Sequence, residues 1–416
     1  MNIAIFTDTY LPEINGVSIS VFQLANELSK NNKVIVFCPK YPKGNNKGKG
    51  EFKIVRIKSV PLPIYKTLRF SLPNLLSIYK TLKKFKPDIT HFHSPGPLGI
   101  ACLIISKYLK IPVIATYHTL YNELIFYVSP IEKIKKLLSE KILENLWSTQ
   151  KPVKKFTFVW KKIWKNNRKK ESRLEKITWK AIKEFHASCN KIIIPSPFVK
   201  KLMDKKGLKG KTINIFNGVD IFKKFPAKKD YSLKNNILFV GRLAEEKRLD
   251  LLIKSFYLAK KVLPNLILTI SGDGPEMERL KKLTAKLNIE NSVKFLGMVP
   301  QEKLTQIYHN SDIFVITSKT ENQPLVVLEA MASGLPIIGV KKHGLTDLID
   351  NSVNGYLLDP KNIKLLSKYI IKLIKNQKLR EKLGKNSRRK AKDYDIQKTA
   401  SKTFDLYKSI IQKKTN

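Results

Sequence analysis

In the stretch NILFVGRLAEEKRLDLLIKSF an apolar run ends at Arg242, and Lys247 is expected in the first turns of the amphipathic helix that follows. Basic side chains oppose the partial positive charge of a helix start. An anion held between them reverses that penalty, and the free N–H groups of a helix start favour phosphate in any case. Solvated surface charge, helped by Glu245 and Glu246, is the competing explanation. The strand-to-helix corner favours phosphate. A second group lies in SDIFVITSKTENQPLVVLEAMASGLP. Glu321 stands in a polar corner after a buried strand, and Pro324 is expected at the first helical position. Glu329 is then placed about two turns inside that helix. Two carboxylates aimed at one crevice suit vicinal hydroxyls of the kind sugars carry, and the free N–H groups around Leu325 and Val326 suit a diphosphate. An ordinary exposed helix Glu is the bland alternative for Glu329, but LVVLEAMA is otherwise apolar, and a buried carboxylate needs a partner.

A third group lies in the first half. In FTDTYLPEINGVSIS, Gly16 allows a ligand to come close to the backbone, although a plain turn explains a single glycine equally well. His118 in IATYHT ends another strand at the same sheet edge, where a packed or supporting role competes evenly with contact to a ligand. His91 and His93 in THFHSPGP are similarly placed, and their alternation is also what strand geometry alone produces.

The elements that must position these residues follow from the pattern around them. Short apolar runs (NIAIFTD, KVIVFCP, FKIVRI, DITHFH, PVIATYH and KIIIPS, then TINIFN, NILFVGR, LILTISG, VKFLG, DIFVITS and PIIGV) alternate with amphipathic helical stretches. That alternation predicts an α/β fold with parallel sheets covered by helices on both faces. The pattern restarts near residue 200 after a polar stretch with Pro and Gly, and 416 residues exceed one ordinary core, so two domains are expected. The expected boundaries are 1–198, 199–389, and a closing segment 390–416 that packs back on the first domain as a helix. Ligands of such sheets bind beyond the carboxyl ends of the strands, where the unusual residues fall.

With 43% apolar and 27% charged residues the composition is that of a globular protein, which excludes disordered and fibrous classes. Cys38, Cys102 and Cys189 are dispersed and are expected to be reduced thiols rather than a disulfide frame or a zinc site. The opening MNIAIFTDTY reads as a strand and not as a signal peptide, and no run is long enough to span a bilayer. A soluble or peripheral protein, cytoplasmic and on the inner face of the cell membrane, is therefore expected. The net charge of +46 attracts polyanions, although genomic bias toward Lys accounts for part of it. Much of that charge lies in a helical segment, 131–185, which also carries Trp147, Trp160, Trp164 and Trp179. Helices with Lys on one face and Trp on the other lie in the head-group layer of an anionic membrane, whereas packing inside the first domain is the alternative.

Together, NGVS, TYHT, NGVD, FVGRLAEEK, SGDGP and ENQPLVVLEAMASGLP resemble glycosyltransferase family 4, whose members are retaining enzymes of the GT-B fold. The likeness runs over nearly the whole chain, and the subgroup it resembles most is the bacterial 1,2-diacylglycerol 3-glucosyltransferases. The resemblance implies two Rossmann-like domains with their parallel sheets facing an interdomain cleft. It implies that Arg242 and Lys247 bind a donor diphosphate, Glu329 the ribose, Glu321 the hexose, Gly16 the phosphates, and His118 the sugar being moved. Asn322, Gln323, Pro324, Leu325 and Val326 would line the donor, with Gly272, and Asn217 and Gly218 of an interdomain loop, shaping the crevice. No Asp-x-Asp motif stands in the expected crevice, consistent with the metal-independent chemistry that the resemblance implies, in which no cofactor beyond the nucleotide-sugar is expected. The implied reaction moves glucose from UDP-glucose to diacylglycerol. The alternatives are another donor and acceptor (GDP-mannose to phosphatidylinositol, or a soluble sugar) and, in another class, a basic nucleic-acid-binding protein. That last class leaves Glu321 and Glu329 idle and shows no helix-turn-helix, zinc-finger or RNP pattern, so no specific nucleic acid partner is expected.

Overall fold

The short runs rich in Ile, Val and Phe form two parallel sheets, and burial on both faces explains why these runs are apolar throughout instead of alternating. The computed structural model describes residues 1–42, 52–62, 65–119, 171–221, 225, 229–232 and 234–415. Contacts divide the chain into two compact units, Met1–Ile215 with Ala400–Asn416, and Phe216–Thr399.

The first unit contains β1 (Asn2–Phe6), α1 (Gly16–Ser29), β2 (Lys33–Pro39), β3 (Lys53–Ile57), a hairpin of β4 (Ser59–Leu62) and β5 (Tyr65–Ser71), and α2 (Leu75–Phe85). It continues through β6 (Ile89–Phe92), α3 (Pro97–Tyr108), β7 (Val113–Thr116), α4 (Glu171–Ala187), β8 (Lys191–Ile194) and β9 (Thr212–Asn214). The seven-stranded sheet has the order β3-β2-β1-β6-β7-β8-β9. The chain therefore leaves β1 toward one side and returns at β6 on the other, which puts the switch point of the sheet between them. Along β1, Ala4 and Phe6 enter the core on one face, while Ile3 and Ile5 enter the core on the other.

The second unit holds β10 (Asn236–Val240), α5 (Leu249–Lys260), β11 (Ile267–Ser271), β12 (Val293–Phe295), α6 (Gln301–His309) and β13 (Ile313–Ile316). α7 (Leu325–Ala332), β14 (Ile337–Val340), β15 (Gly355–Leu358) and α8 (Ile363–Lys375) follow. Its sheet order is β12-β11-β10-β13-β14-β15, so here the switch point lies between β10 and β13. On α8, Leu366, Ile370 and Leu373 recur at helical spacing and are fully buried in this core. The last helix, α9 (Ile396–Thr415), contributes Ala400, Leu406, Tyr407 and Ile410 to the core of the first unit. No helix among the described residues is long and apolar enough to cross a membrane.

Four expectations need correction. The first unit extends to Ile215 and not to 198, because TINIFN, expected in the second half, pairs through β9 with β8 at the edge of the first sheet. Of the closing segment, residues up to Thr399 belong to the second unit. β15 and the β4–β5 hairpin are strands that the apolar-run pattern did not indicate. Trp179 is 6% exposed and sits in the core with Ala181, Ile182 and Phe185, its ring covered by Lys206 at 5.1 Å, so it is not a membrane contact. Trp147, Trp160 and Trp164, and most of segment 131–185, lie outside the described residues. Cys38, Cys102 and Cys189 are free, buried thiols.

Candidate active site

The loops after β10 and β13, at the switch point of the second sheet, are bound to each other. Lys247 Nζ and Glu321 Oε1 form an ion pair at 2.5 Å. The Lys319 amide donates to the Glu246 carbonyl, and the Thr317 hydroxyl donates to the Lys247 and Arg248 carbonyls at 2.8 and 3.0 Å. Glu246 is buried and accepts from Arg242 Nη2 at 2.6 Å, which fixes one outer nitrogen of the guanidinium while leaving the Arg242 side chain 38% exposed. Arg242, Lys247 and Glu321 thus occupy one neighbourhood, and the two cations are held by acids without being enclosed.

Lys247 does not lie in the helix, as expected, but in a short 3-10 turn, Glu245–Lys247. Arg248 then takes a left-handed conformation with φ of 53°, and α5 begins only at Leu249. That break separates the two helical segments and turns the Lys247 side chain toward Glu321. Pro324 is likewise one position earlier than expected: it caps α7 in extended conformation, and Leu325 is the first helical residue. Glu329 then lies just over one turn inside. The first-turn N–H groups of Leu325 and Val326 have no intrahelical acceptor, as at any helix start.

Glu329 is 4% exposed and is held by two residues of α6 that the sequence pattern had not singled out. Gln301 Nε2 donates to Oε1 at 2.8 Å and the Tyr308 hydroxyl to Oε2 at 2.9 Å. Burial and the adjacent carboxylate push the Tyr308 phenol well above its ordinary range, so it stays a donor. Both residues lie on one face of α6, seven positions apart, and that spacing is readable once a buried Glu is known to need donors.

Close backbone approaches shape the rest. A Cβ on Gly344 would lie 1.4 Å from the Asn322 carbonyl oxygen, and its N–H donates to the Glu321 carbonyl at 3.0 Å, so the corner rests on this glycine. Gly272, with φ of 139°, would bring a Cβ to 1.9 Å from the Gly241 carbonyl oxygen and so packs the ends of β10 and β11 together. Gln323 is buried, and its Oε1 accepts from the Asn217 amide at 2.5 Å, which ties the NGVD loop to the corner. Gly218 lies against the Ile396 backbone. Asn322 is buried beside them.

In the first unit, Gly16 opens α1 after the capping box formed by Asn15 and Ser18, and a Cβ there would meet nothing within 4 Å, so the space in front of it is open. His118 follows β7 and is half-buried, with Nε2 at 2.8 Å from His93 Nδ1. Burial lowers His118 to about 3. Asp8, just past β1, accepts from Ser94 Oγ at 2.7 Å and from the Leu98 amide at 3.0 Å, and burial raises its carboxyl to about 6.

The sequence profile described as "Glycosyltransferase Family 4" matches residues 14–222, just over half of the chain, and that of "Glycosyl transferases group 1" matches residues 220–390. The chain is 26% identical over 428 aligned residues to an alpha-monoglucosyldiacylglycerol synthase of Acholeplasma laidlawii, covering 99% of this chain and 98% of that one. It is 29% identical over 383 residues to a GDP-mannose-dependent alpha-mannosyltransferase of Corynebacterium glutamicum, covering 88% of this chain and 78% of that one. The crystal structure of Anabaena Alr3699/HepE in complex with UDP and glucose shares the fold, with a TM-score of 0.70 and 17% identity over 98% of this chain and all of that one.

Proposed function

We propose, from the premise that the chain belongs to glycosyltransferase family 4 and is a hexosyltransferase of the GT-B class, that it moves glucose from UDP-glucose to 1,2-diacylglycerol with retention of configuration. The observation that carries this reading is the Lys247–Glu321 pair, fixed beside Arg242 at the mouth of the second sheet. Lysine has three donors and arginine five, so each keeps its acid and still has donors for a diphosphate. Glu321 offers its remaining lone pairs to hexose hydroxyls, and Glu329, whose partners donate to it, accepts from ribose hydroxyls. Gly16 leaves room for the phosphates, and His118 contacts the moving sugar.

As the bond from the anomeric carbon to the diphosphate breaks, negative charge grows on the leaving oxygen. Arg242, Lys247 and the N–H groups that open α7 stabilise that charge, and no metal is required for it. The acceptor oxygen attacks from the same face, and its proton passes to the departing phosphate. A lipid acceptor is supported by the diacylglycerol-synthase relative and by a surface of the first unit. There, Leu76 and Tyr108 are exposed, Tyr108 meets Tyr79 of α2 edge-on with ring centroids 5.7 Å apart, and Lys80, Lys83 and Lys84 of α2 and Lys107 of α3 are exposed as well. Each lysine near an anionic surface contributes about 1 kcal/mol of binding.

The test is to incubate the protein with a panel of sugar nucleotides, GDP-mannose included, and mixed lipids in EDTA, and to identify any glycolipid by mass spectrometry. A glucosyl diacylglycerol formed from UDP-glucose is expected, and Arg242→Ala and Lys247→Ala should each lower kcat roughly 100- to 1,000-fold while remaining folded. Wild-type rates in both variants end the proposal. A product made only from GDP-mannose replaces the donor.

A further inference from the structure

His118, itself half-buried, meets the buried imidazoles at the end of β6, beside the switch point of the first sheet. β6 carries His91 and ends just before His93, and β7 ends two residues before His118. The His93 and His118 ring planes lie 20° from parallel with centroids 5.1 Å apart, and His93 Nδ1 lies 2.8 Å from His118 Nε2. His91 is occupied elsewhere, with Nδ1 at 2.6 Å from the Tyr407 hydroxyl of α9 and Nε2 at 2.7 Å from the Thr116 hydroxyl. His93 is 1% exposed, and its Nε2 has no hydrogen-bond partner among the described residues.

We infer that His93 holds His118 in the tautomer protonated at Nδ1, so that His118 meets the transferred sugar as a hydrogen-bond donor and takes no proton from the acceptor. This rests on the sugar contact proposed above. Burial holds both imidazoles far below their usual titration range, so both rings are neutral at physiological pH and each carries one proton. Between the rings, one nitrogen must donate and the other accept. If His118 Nε2 donated, the proton of His93 would sit on Nε2, and a buried N–H would be left without an acceptor among the described residues. If His93 Nδ1 donates, only a lone pair is left unfilled, and buried acceptors tolerate this better than buried donors do. His118 then carries its proton on Nδ1. Its Nε2 lone pair is already filled by His93, so His118 has no free site at which to act as a base. The hydroxyl proton of the acceptor must go elsewhere, which agrees with its passage to the leaving phosphate. His93 is thus a positioning residue.

Long-range 1H–15N correlation spectra of the full-length protein, labelled at its six histidines, report the tautomer directly. His118 is expected to show the pattern of a protonated Nδ1; the Nε2–H pattern in the wild type overturns the inference. His93→Leu should lose that pattern and lower kcat roughly tenfold, the equivalent of one neutral hydrogen bond, with KM for the donor changing less. His93→Asn, whose side-chain amide donates from the position of Nδ1, should keep both the pattern and the rate. Equal loss in the Asn and Leu variants overturns the positioning role. The spectra need no turnover, so a failure of the proposed reaction is told apart from a failure of the histidine pair.

Discussion

Glu329 shows what a buried charge demands of its neighbours. Its two oxygens are met by an amide and a phenol from α6, and the phenol is kept protonated by its burial and by the carboxylate it serves. Tyr308→Phe removes one charge-assisted donor and leaves the volume almost unchanged. The expected loss is about 1–3 kcal/mol of unfolding free energy, read as a lower urea midpoint at unchanged m-value, together with a raised KM for the nucleotide-sugar. An unchanged midpoint would show that Gln301 suffices. At this scale the sequence was informative about the acids and bases, since a lone Glu in LVVLEAMA is conspicuous. It was silent about the partners of Glu329: Gln301 and Tyr308 are ordinary residue types whose roles depend on which elements the fold brings together.

The corner between β13 and α7 is held from beneath by Gly344 and from the side by the 245–248 turn. Gly344→Ala would drive a methyl group into the Asn322 carbonyl, so the corner must move and carry Glu321 away from Lys247. We expect Gly344→Ala to lower kcat by at least tenfold and to destabilise the second unit by roughly 1–3 kcal/mol, the usual range for a backbone clash. Activity assays paired with thermal unfolding check this, and Ala at wild-type rate would show that the corner adapts. The strands themselves were legible in the sequence, because parallel strands buried on both faces read as unbroken apolar runs. The 3-10 turn was not legible: EEKRLDLL fits a continuous helix by composition, and only tertiary contacts from Thr317 and Lys319 explain why Arg248 leaves the helical region. TINIFN was legible as a strand but not by sheet, since a three-residue edge strand fits either sheet equally well.

At the scale of the molecule, ionisation differs between the two units. His91 and His118 are lowered to about 3, His186 to about 4, and His93 well below its usual value, all by burial in the first unit. Unfolded histidine binds protons near pH 6.5, so as pH falls below that value the unfolded chain takes up protons that the folded unit refuses, and stability is lost toward pH 4. Asp8, raised to about 6, works in the opposite direction between about pH 6 and 4, but it is one group against four. Hydrogen exchange on acidification should therefore open the first unit before the second; equal protection down to pH 4 would contradict the buried-imidazole account. The same unit also depends on the far end of the chain, since Leu406, Tyr407 and Ile410 complete its core and Tyr407 meets His91. During synthesis the strands β1 to β9 emerge before the second unit, yet their hydrophobic interior stays open until residues 400–410 have followed that unit out of the ribosome. The unit that is begun earlier must wait for the whole of the other to be made.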